Sequence, residues 1–526
     1  MAIIQLHHVF YSLDDRTLLN DIDFSINAAD KLAIVGRNGV GKTTLLRLIV
    51  GELLPTEGNV ERRKMVHYCS QNYAAYQQFS VARALGITNK LAALQRIEAG
   101  NDDAQDYTTL ADDWLVHQRY ALALAELGLL DVDFQKPLQD FSGGEQTKIF
   151  LCRAFMSDAD LLLLDEPSNN LDAQSKQLLY KNIQQWGKAL VVVSHNRELL
   201  NQMTALIELD SLGMKLYGGN FDFYRQQKTI EQAALQQQAD DAKQIQRKTA
   251  RSIQYAREMH EQKVAKGKQM RRDRVLDTVT LDGMKGRSEK TQHRMRLQNS
   301  MRTERTQEQL DEATAKLEVV DKIKVVMPNT HVPARKMMLS LNDVSFAYEQ
   351  KDVLKNITLL MQGPQRLAIT GCNGAGKTTL VNIILGRLKA QGEVELGTDR
   401  IQYVDQQVSS LDVKQSVVEN YKRLNPEASE NDTRSALAQF LFRNRAADKL
   451  VSVLSGGEKL RAGLACVLLS KHAPQLLILD EPTNHLDLDS ILALEQVLNC
   501  YEGALIMISH DKLFLENINI DQAYVL

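Results

Sequence analysis

One nine-residue loop occurs twice in this chain, 335 residues apart. The first copy reads Gly36, Arg37, Asn38, Gly39, Val40, Gly41, Lys42, Thr43, Thr44. The second reads Gly371, Cys372, Asn373, Gly374, Ala375, Gly376, Lys377, Thr378, Thr379. The surroundings repeat as well. Gln71 recurs as Gln406 at the same shift, and Ser142, Gly143, Gly144, Glu145 recur as Ser455, Gly456, Gly457, Glu458. An apolar run ending in Asp165-Glu166-Pro167 recurs before Asp480-Glu481-Pro482, and a Ser-His follows at His195 and His510, 30 residues after the aspartate each time. Self-similarity in this order restricts the chain to two copies of one domain, and 526 residues is too long for a single core.

The repeated residues have a common chemistry. Apolar β-type runs (31–35 and 365–370) lead into each G-x-x-x-x-G-K-T loop, and apolar helical sequence follows. That context makes a phosphate cradle: glycines let backbone N–H groups curl around phosphate oxygens, and the following helix presents its positive end. Lys42 and Lys377 are expected to neutralise terminal phosphates, and Thr43 and Thr378 to place a hydroxyl on Mg²⁺. Asp165 and Asp480 end buried-type strands, where a Mg²⁺-supporting carboxylate belongs. Glu166 and Glu481 are then placed to polarise water as general bases. His195 and His510 follow apolar strands and are expected near the γ-phosphate.

Between the copies lies a different kind of sequence. No proline occurs from 168 to 327, and Glu, Gln, Lys, Arg, Ala and Met, all good helix formers, dominate. Residues 243–305 carry 18 Lys+Arg against 7 Asp+Glu, a surplus of +11 in a chain of net charge −3, so the remainder sums to −14. Ala242, Ile245, Thr249, Ser252, Ala256 and Met259 form a thin apolar seam at 3,4 spacing. Two arms of roughly 40 residues, 225–264 and 286–325, are expected to form a hairpin about 60 Å long. Its tip, at about 267–285, would carry Lys268, Arg271, Arg272 and Arg274. The domain bounds read as 1–223, 224–332 for the linker, and 333–526. The first copy has about 22 extra residues, expected as a small helical arm at about 89–114.

No apolar run approaches the ~18 residues of a membrane span, and no signal pattern opens the chain. Cys69, Cys152, Cys372, Cys466 and Cys500 are scattered without pairing, which points to reduced thiols and a cytoplasmic protein.

With these motifs in this order, each half resembles an ATP-binding cassette domain, an α/β P-loop NTPase fold. Tandem cassettes, no membrane segment and a long basic α-helical hairpin linker together resemble the ABC-F family of ribosome-associated ATPases. Tyr217-Gly-Gly-Asn-Phe-Asp-Phe-Tyr224 is similar to the stretch that leads into such linkers, and Glu481-Pro-Thr-Asn-His-Leu-Asp487 matches the family's form. The resemblance implies ATP hydrolysis with Mg²⁺ and head-to-tail cassettes in a monomer. Residues 36–44 would share one ATP with Ser455, Gly456 and Gly457, and residues 371–379 another with Ser142, Gly143 and Gly144. It also places Gln71 and Gln406 with the catalytic and Mg²⁺ groups, and Tyr348 against adenine.

It further implies a linker that meets rRNA and tRNA, and an arm that meets the ribosomal stalk. Members act as translation factors or displace ribosome-targeting antibiotics. The first copy departs at Leu13, which ungapped counting sets opposite Tyr348, although Phe10 or Tyr11 can shift in. It also departs at Ser168 and Asn170, where the second copy has Thr483 and His485. The sequence ends at Leu526, directly after the last expected strand, so no C-terminal coiled-coil extension is expected. An ATPase subunit of a membrane transporter is the alternative, and it gives no reason for the basic segment. A DNA-repair-type cassette ATPase would split its cassette or carry zinc cysteines, and neither feature is present.

Overall fold

The computed structural model describes residues 2–13, 16–210, 213–272, 294, 297–312, 327–328, 330–348, 351–484 and 486–526. Two compact units divide the chain, Met1–Tyr224 with Ile323–Leu526, and Arg225–Lys322.

The first unit contains both cassettes. In the first cassette, strands Val66–Cys69, Leu161–Asp165, Ala189–Val193, Lys31–Val35 and Ala205–Asp210 lie side by side in parallel. Gly213–Gly218 closes the sheet antiparallel. The second cassette repeats the order with Ile401–Val404, Leu476–Asp480, Ala504–Ile508, Arg366–Thr370 and Gln522–Val525. Leu161–Asp165 and Ala189–Val193 are buried at every position. This is why they read as unbroken apolar runs, since a parallel sheet is covered on both faces. Each leucine removed from water there contributes roughly 1.5–3 kcal/mol.

A three-stranded antiparallel sheet flanks each core: Arg16–Asn27, Ala2–Leu13 and Glu57–Arg62 in the first cassette. Lys351–Gln362, Met337–Tyr348 and Gln391–Leu396 form its counterpart in the second. In the first cassette the helices Thr88–Glu98 and Ala104–Leu110 precede Val116–Glu126, whereas the second has Val417–Leu424 and Glu430–Gln439.

The linker begins inside the first cassette. Asn220 caps the helix by accepting the N–H of Phe223 at 3.2 Å. The rings of Tyr217 and Tyr224 meet edge to face, and both hydroxyls donate to Glu208 at 3.1 Å. This aromatic clasp is the structural content of the Tyr-Gly-Gly-Asn-Phe-Asp-Phe-Tyr stretch.

From it a single helix, Phe221–Arg272, runs 52 residues, or about 78 Å at 1.5 Å per residue. The sequence predicts a break near Gly267. The helix instead continues through it, so Lys268, Arg271 and Arg272 fall on its last turns, while Arg274 lies outside the described residues. One interior glycine costs only about 1 kcal/mol. The surrounding helix formers offset it, with i,i+4 pairs such as Arg257–Glu261 and Gln254–Glu258. Residues 297–312 form a second helix, and Gln246 donates to Gln307 across the two at 2.7 Å. That bond joins the two arms of a hairpin.

Candidate nucleotide sites

Each phosphate loop is held open by its own backbone. Gly36 has φ +151°, and a Cβ there would stand 2.2 Å from the carbonyl oxygen of Leu209. Gly371 matches it, with φ +150° and 2.7 Å to the Leu526 carbonyl. Only glycine fits such an approach. The helices Lys42–Val50 and Lys377–Ile384 start directly from the loops. Lys42 folds back over its loop, donating to the carbonyls of Gly36 at 2.5 Å and Arg37 at 3.1 Å. Lys377 does the same to Gly371 and Cys372, at 2.9 and 3.1 Å, and also donates to Nε2 of His510 at 3.1 Å. Burial pushes both lysines below the usual ammonium range.

The hydroxyl of Thr43 donates to Asp165 at 2.7 Å and that of Thr378 to Asp480 at 3.2 Å. Tyr68 and Tyr403 reach the same carboxylates from neighbouring strands. Burial raises both aspartates above the ordinary carboxylate range. Gln71 and Gln406 stand at corresponding turns after the strands Val66–Cys69 and Ile401–Val404.

The glutamates sit in a backbone conformation that residues other than glycine rarely adopt. Glu166 has φ +49° and Glu481 +47°, a strain of order 1–3 kcal/mol that the surrounding structure must hold. Strand-end bonds hold it, Glu166 N–H to Val193 at 2.8 Å and Glu481 N–H to Ile508 at 2.9 Å. The carboxyl groups then lie beside the histidines, 3.2 Å between Glu166 and His195 and 3.4 Å between Glu481 and His510. Burial is the largest cause of every shift here. Glu166 rises to about 8 and Glu481 to about 7, while His195 falls to about 3 and His510 to about 4. Among the described residues, Nδ1 of His195 is buried without a hydrogen-bond partner, and its Nε2 and Oε1 of Glu166 face each other at 3.2 Å without forming a hydrogen bond. Such orphaned atoms at a cavity wall mark a place built for a polar guest.

The two cassettes complete each other. A cavity of about 590 Å³ is lined by Lys42, Thr43, Gln71, Asp165, Glu166 and His195 from the first, and by Ser455 and Gly456 from the second. Ser142 and Ser455 cap the helices Gly143–Phe155 and Gly456–Leu468, each in a reciprocal box with the glutamate three residues on. Each therefore presents a helix N-terminus, which favours an anion. Gly144 lies so close to Asn170 that a Cβ would stand 2.7 Å from its carbonyl, and the Asn373 amide donates to that carbonyl at 3.0 Å. The second phosphate loop thus meets the first cassette's Ser142–Gly144 region.

Two residues that sequence reading passed over bind the cassettes at these loops. Asp487 accepts the backbone N–H of Asn38 at 3.1 Å, and Asp172 that of Asn373 at 3.4 Å. Their signal was available, since Leu-Asp recurs at 171–172 and 486–487. Arg37 also pairs with Asp489 at 3.1 Å.

Hairpin register settles the aromatic position. Leu13 pairs with Arg16 and Tyr348 with Lys351, so the two occupy the same site and both are about half exposed. Tyr11 instead pairs with Leu19, and Phe10 with Glu57.

Comparison with known proteins follows this geometry. Residues 19–169 and 354–484 match the ABC transporter family. The chain is 30% identical to the ATP-binding protein Uup of Haemophilus influenzae, over 98% of this chain and 78% of that protein. It is 30% identical to ABC transporter F family member 5 of Arabidopsis thaliana, over 98% and 74%. It is 29% identical to the ribosome protection protein VmlR of Bacillus subtilis, over 98% and 85%. Among solved structures it resembles an RNase-L inhibitor with a TM-score of 0.61 at 16% identity, covering 99% of this chain and 87% of that one. It also resembles a complex of the archaeal ribosomal stalk protein aP1 with the ribosome recycling factor aABCE1, at 0.57 and 18%, with the same coverage. At such identities these two likenesses speak to the fold. Among the described residues no helix is long and apolar enough to cross a membrane.

Proposed function

We propose, from the premise that this chain belongs to the ABC-F family of tandem-cassette ATPases, that it binds the ribosome when ATP holds its cassettes together and acts there on translation. The chain is an ATP hydrolase, and its chemistry follows from the residues above. Phosphates displace the loop carbonyls from Lys42 and Lys377, which then neutralise terminal charge. Glu166 and Glu481 accept a proton from the attacking water, and burial has moved them toward neutral pH, where a general base works best. The neutral imidazoles of His195 and His510, beside these glutamates, face the γ-phosphate.

Mg²⁺ would be held by Thr43, Asp165 and Gln71 at one site and by Thr378, Asp480 and Gln406 at the other. All are hard oxygen donors, and the two threonine–aspartate pairs are already in contact. Bound there, the ion neutralises charge on the phosphate oxygens.

The observation that carries the ribosomal reading is the charge of the linker. A +11 surplus over residues 243–305, a stretch whose first half lies on the long helix, in a chain otherwise at −14, suits a polyanion. The relative VmlR, named as a ribosome protection protein, supports the same partner. Lys268, Arg271, Arg272 and Arg274 are the proposed RNA contacts, meeting rRNA and tRNA through backbone and shape.

Co-sedimentation with ribosomes tests the reading. A slowly hydrolysed ATP analogue should drive the protein into the ribosomal pellet, and the Glu166→Gln/Glu481→Gln protein should do so with ATP itself. Changing the four linker cations to Ala should weaken binding and flatten its salt dependence. Unchanged affinity and salt slope in that variant would remove the linker from the proposal, and no nucleotide-dependent pelleting would remove the ribosome.

A further inference from the structure

Among the described residues, Asp165 and Asp480 each accept hydroxyl donors from two different elements, and only one donor belongs to a phosphate loop. Thr43 donates to Oδ2 of Asp165 at 2.7 Å, and Tyr68 donates to the same oxygen at 3.3 Å. In the second cassette Thr378 and Tyr403 both donate to Oδ2 of Asp480, each at 3.2 Å. Sheet register produces the tyrosine contact. Tyr68 pairs with Leu163 on the neighbouring parallel strand, and Tyr403 with Ile478. The aspartates lie two residues further on, and residues two apart in a strand share a face. A tyrosine there reaches forward to the carboxylate while its ring packs on the apolar core of its own cassette. The surroundings of the two rings differ. Arg387 stands over the Tyr403 ring, 5.2 Å from its centroid. The corresponding residue of the first cassette is Glu52, which pairs with Arg47 at 3.1 Å. The bond from hydroxyl to aspartate is what the two tyrosines keep in common.

We infer that Tyr68 and Tyr403 are positioning residues for Mg²⁺, each holding its aspartate in the orientation that receives the ion. The inference rests on the assignment of Asp165 and Asp480 to Mg²⁺. An aspartate carboxyl turns easily about its last torsion, and the threonine ties it only to a loop that must also take up phosphate. The tyrosine ties the same oxygen to the sheet. Its neutral hydroxyl donates without adding a charge that would compete with the cation. Bonds of this kind behind a metal-binding group set metal affinity by roughly 10–100-fold. Tyr68 and Tyr403 also stand three residues before Gln71 and Gln406. One strand therefore orients the carboxylate and carries the glutamine proposed for the same ion.

Exchanging tyrosine for phenylalanine removes the hydroxyl and keeps the ring. The readout is equilibrium binding of a slowly hydrolysed ATP analogue as Mg²⁺ is titrated, with one site isolated at a time. In the Lys377→Ala protein, Tyr68→Phe should raise the Mg²⁺ midpoint at the first site about tenfold. In the Lys42→Ala protein, Tyr403→Phe should do the same at the second site, and Tyr68→Phe should shift that midpoint less than twofold. Affinity for the analogue in EDTA should stay within about twofold in every variant. A midpoint that moves less than twofold in the matching variant overturns the inference at that site. An equal loss with and without Mg²⁺ also overturns it, because the packing of the ring and not the ion would then be affected. Asp165→Asn and Asp480→Asn test the assignment beneath it. If they leave the midpoint where it was, the Mg²⁺ role of the aspartates fails instead.

Discussion

Breaking the ion pair between Arg197 and Glu495 should cost the protein cassette closure rather than folding. Nη1 of Arg197 lies 2.7 Å from Oε1 of Glu495, and their side chains are only 3% and 8% exposed. Asn517 donates to the same oxygen at 3.1 Å, while Nε and Nη2 of Arg197 have no hydrogen-bond partner among the described residues. Arg197 belongs to the first cassette and Glu495 to the second, so separating the cassettes returns both charges to water.

Removing one partner leaves the other buried and uncompensated, which costs ~3–5 kcal/mol. The cost falls on the packed arrangement alone. At 1.4 kcal/mol per factor of ten, closure should weaken by roughly two to three and a half orders of magnitude. Replacing both charges by apolar side chains should restore most of it, because a buried pair and a packed apolar pair are nearly equal in free energy. The assay is resonance energy transfer between dyes on the two cassettes as ATP is titrated into Arg197→Met, Glu495→Leu and the double variant. Single variants that shift the closure midpoint less than threefold, or a double variant as impaired as the sum of the singles, would refute the reasoning.

Leu13→Tyr should strengthen ATP binding at the Lys42 site by about 5- to 150-fold, since base stacking on an aromatic is worth ~1–3 kcal/mol; titration of the Lys377→Ala protein measures it, and no gain would detach this position from adenine. His67 should make the fold acid-sensitive. Burial, with Arg153 beside it, lowers its pKa to about 4, so between about 6.5 and 4 the unfolded chain takes up a proton that the folded one refuses, and stability falls with pH across that window. His67→Gln should flatten this part of the melting-temperature profile, and an unchanged slope would contradict it.

The repeat made the core legible because function and burial coincide there. Asp165 and Glu166 end a strand buried on both faces, so an apolar run points straight at them. Asp172 and Asp487 are less visible because their role lies across an interface, with a backbone N–H that no sequence displays as a partner. Arg197 and Glu495 leave no repeat signal at all. At the corresponding positions stand Lys512 and Tyr180, the latter bonded instead to Asn196 at 2.7 Å. In the linker, glycine reads as punctuation at 267, yet one glycine among strong helix formers cannot outweigh its neighbours.

The differences between the copies sort by side, and the sorting has a mechanical consequence. Asp487 and the helix bearing Glu495 adjoin the loop of Lys42, so on that side protein charges hold the cassettes together. Asp172 adjoins the loop of Lys377, and Tyr348 stands at the register position expected against adenine, so that side leans on the nucleotide. Hydrolysis at the second site should then release more of the closing free energy than hydrolysis at the first. Blocking it with Glu481→Gln should lengthen the ATP-dependent closed state more than Glu166→Gln does, read as the dwell time of the high-transfer state after an ATP pulse. The reverse order, or equal dwell times, would mean that the ion pair and the aromatic position do not divide the two sides in this way.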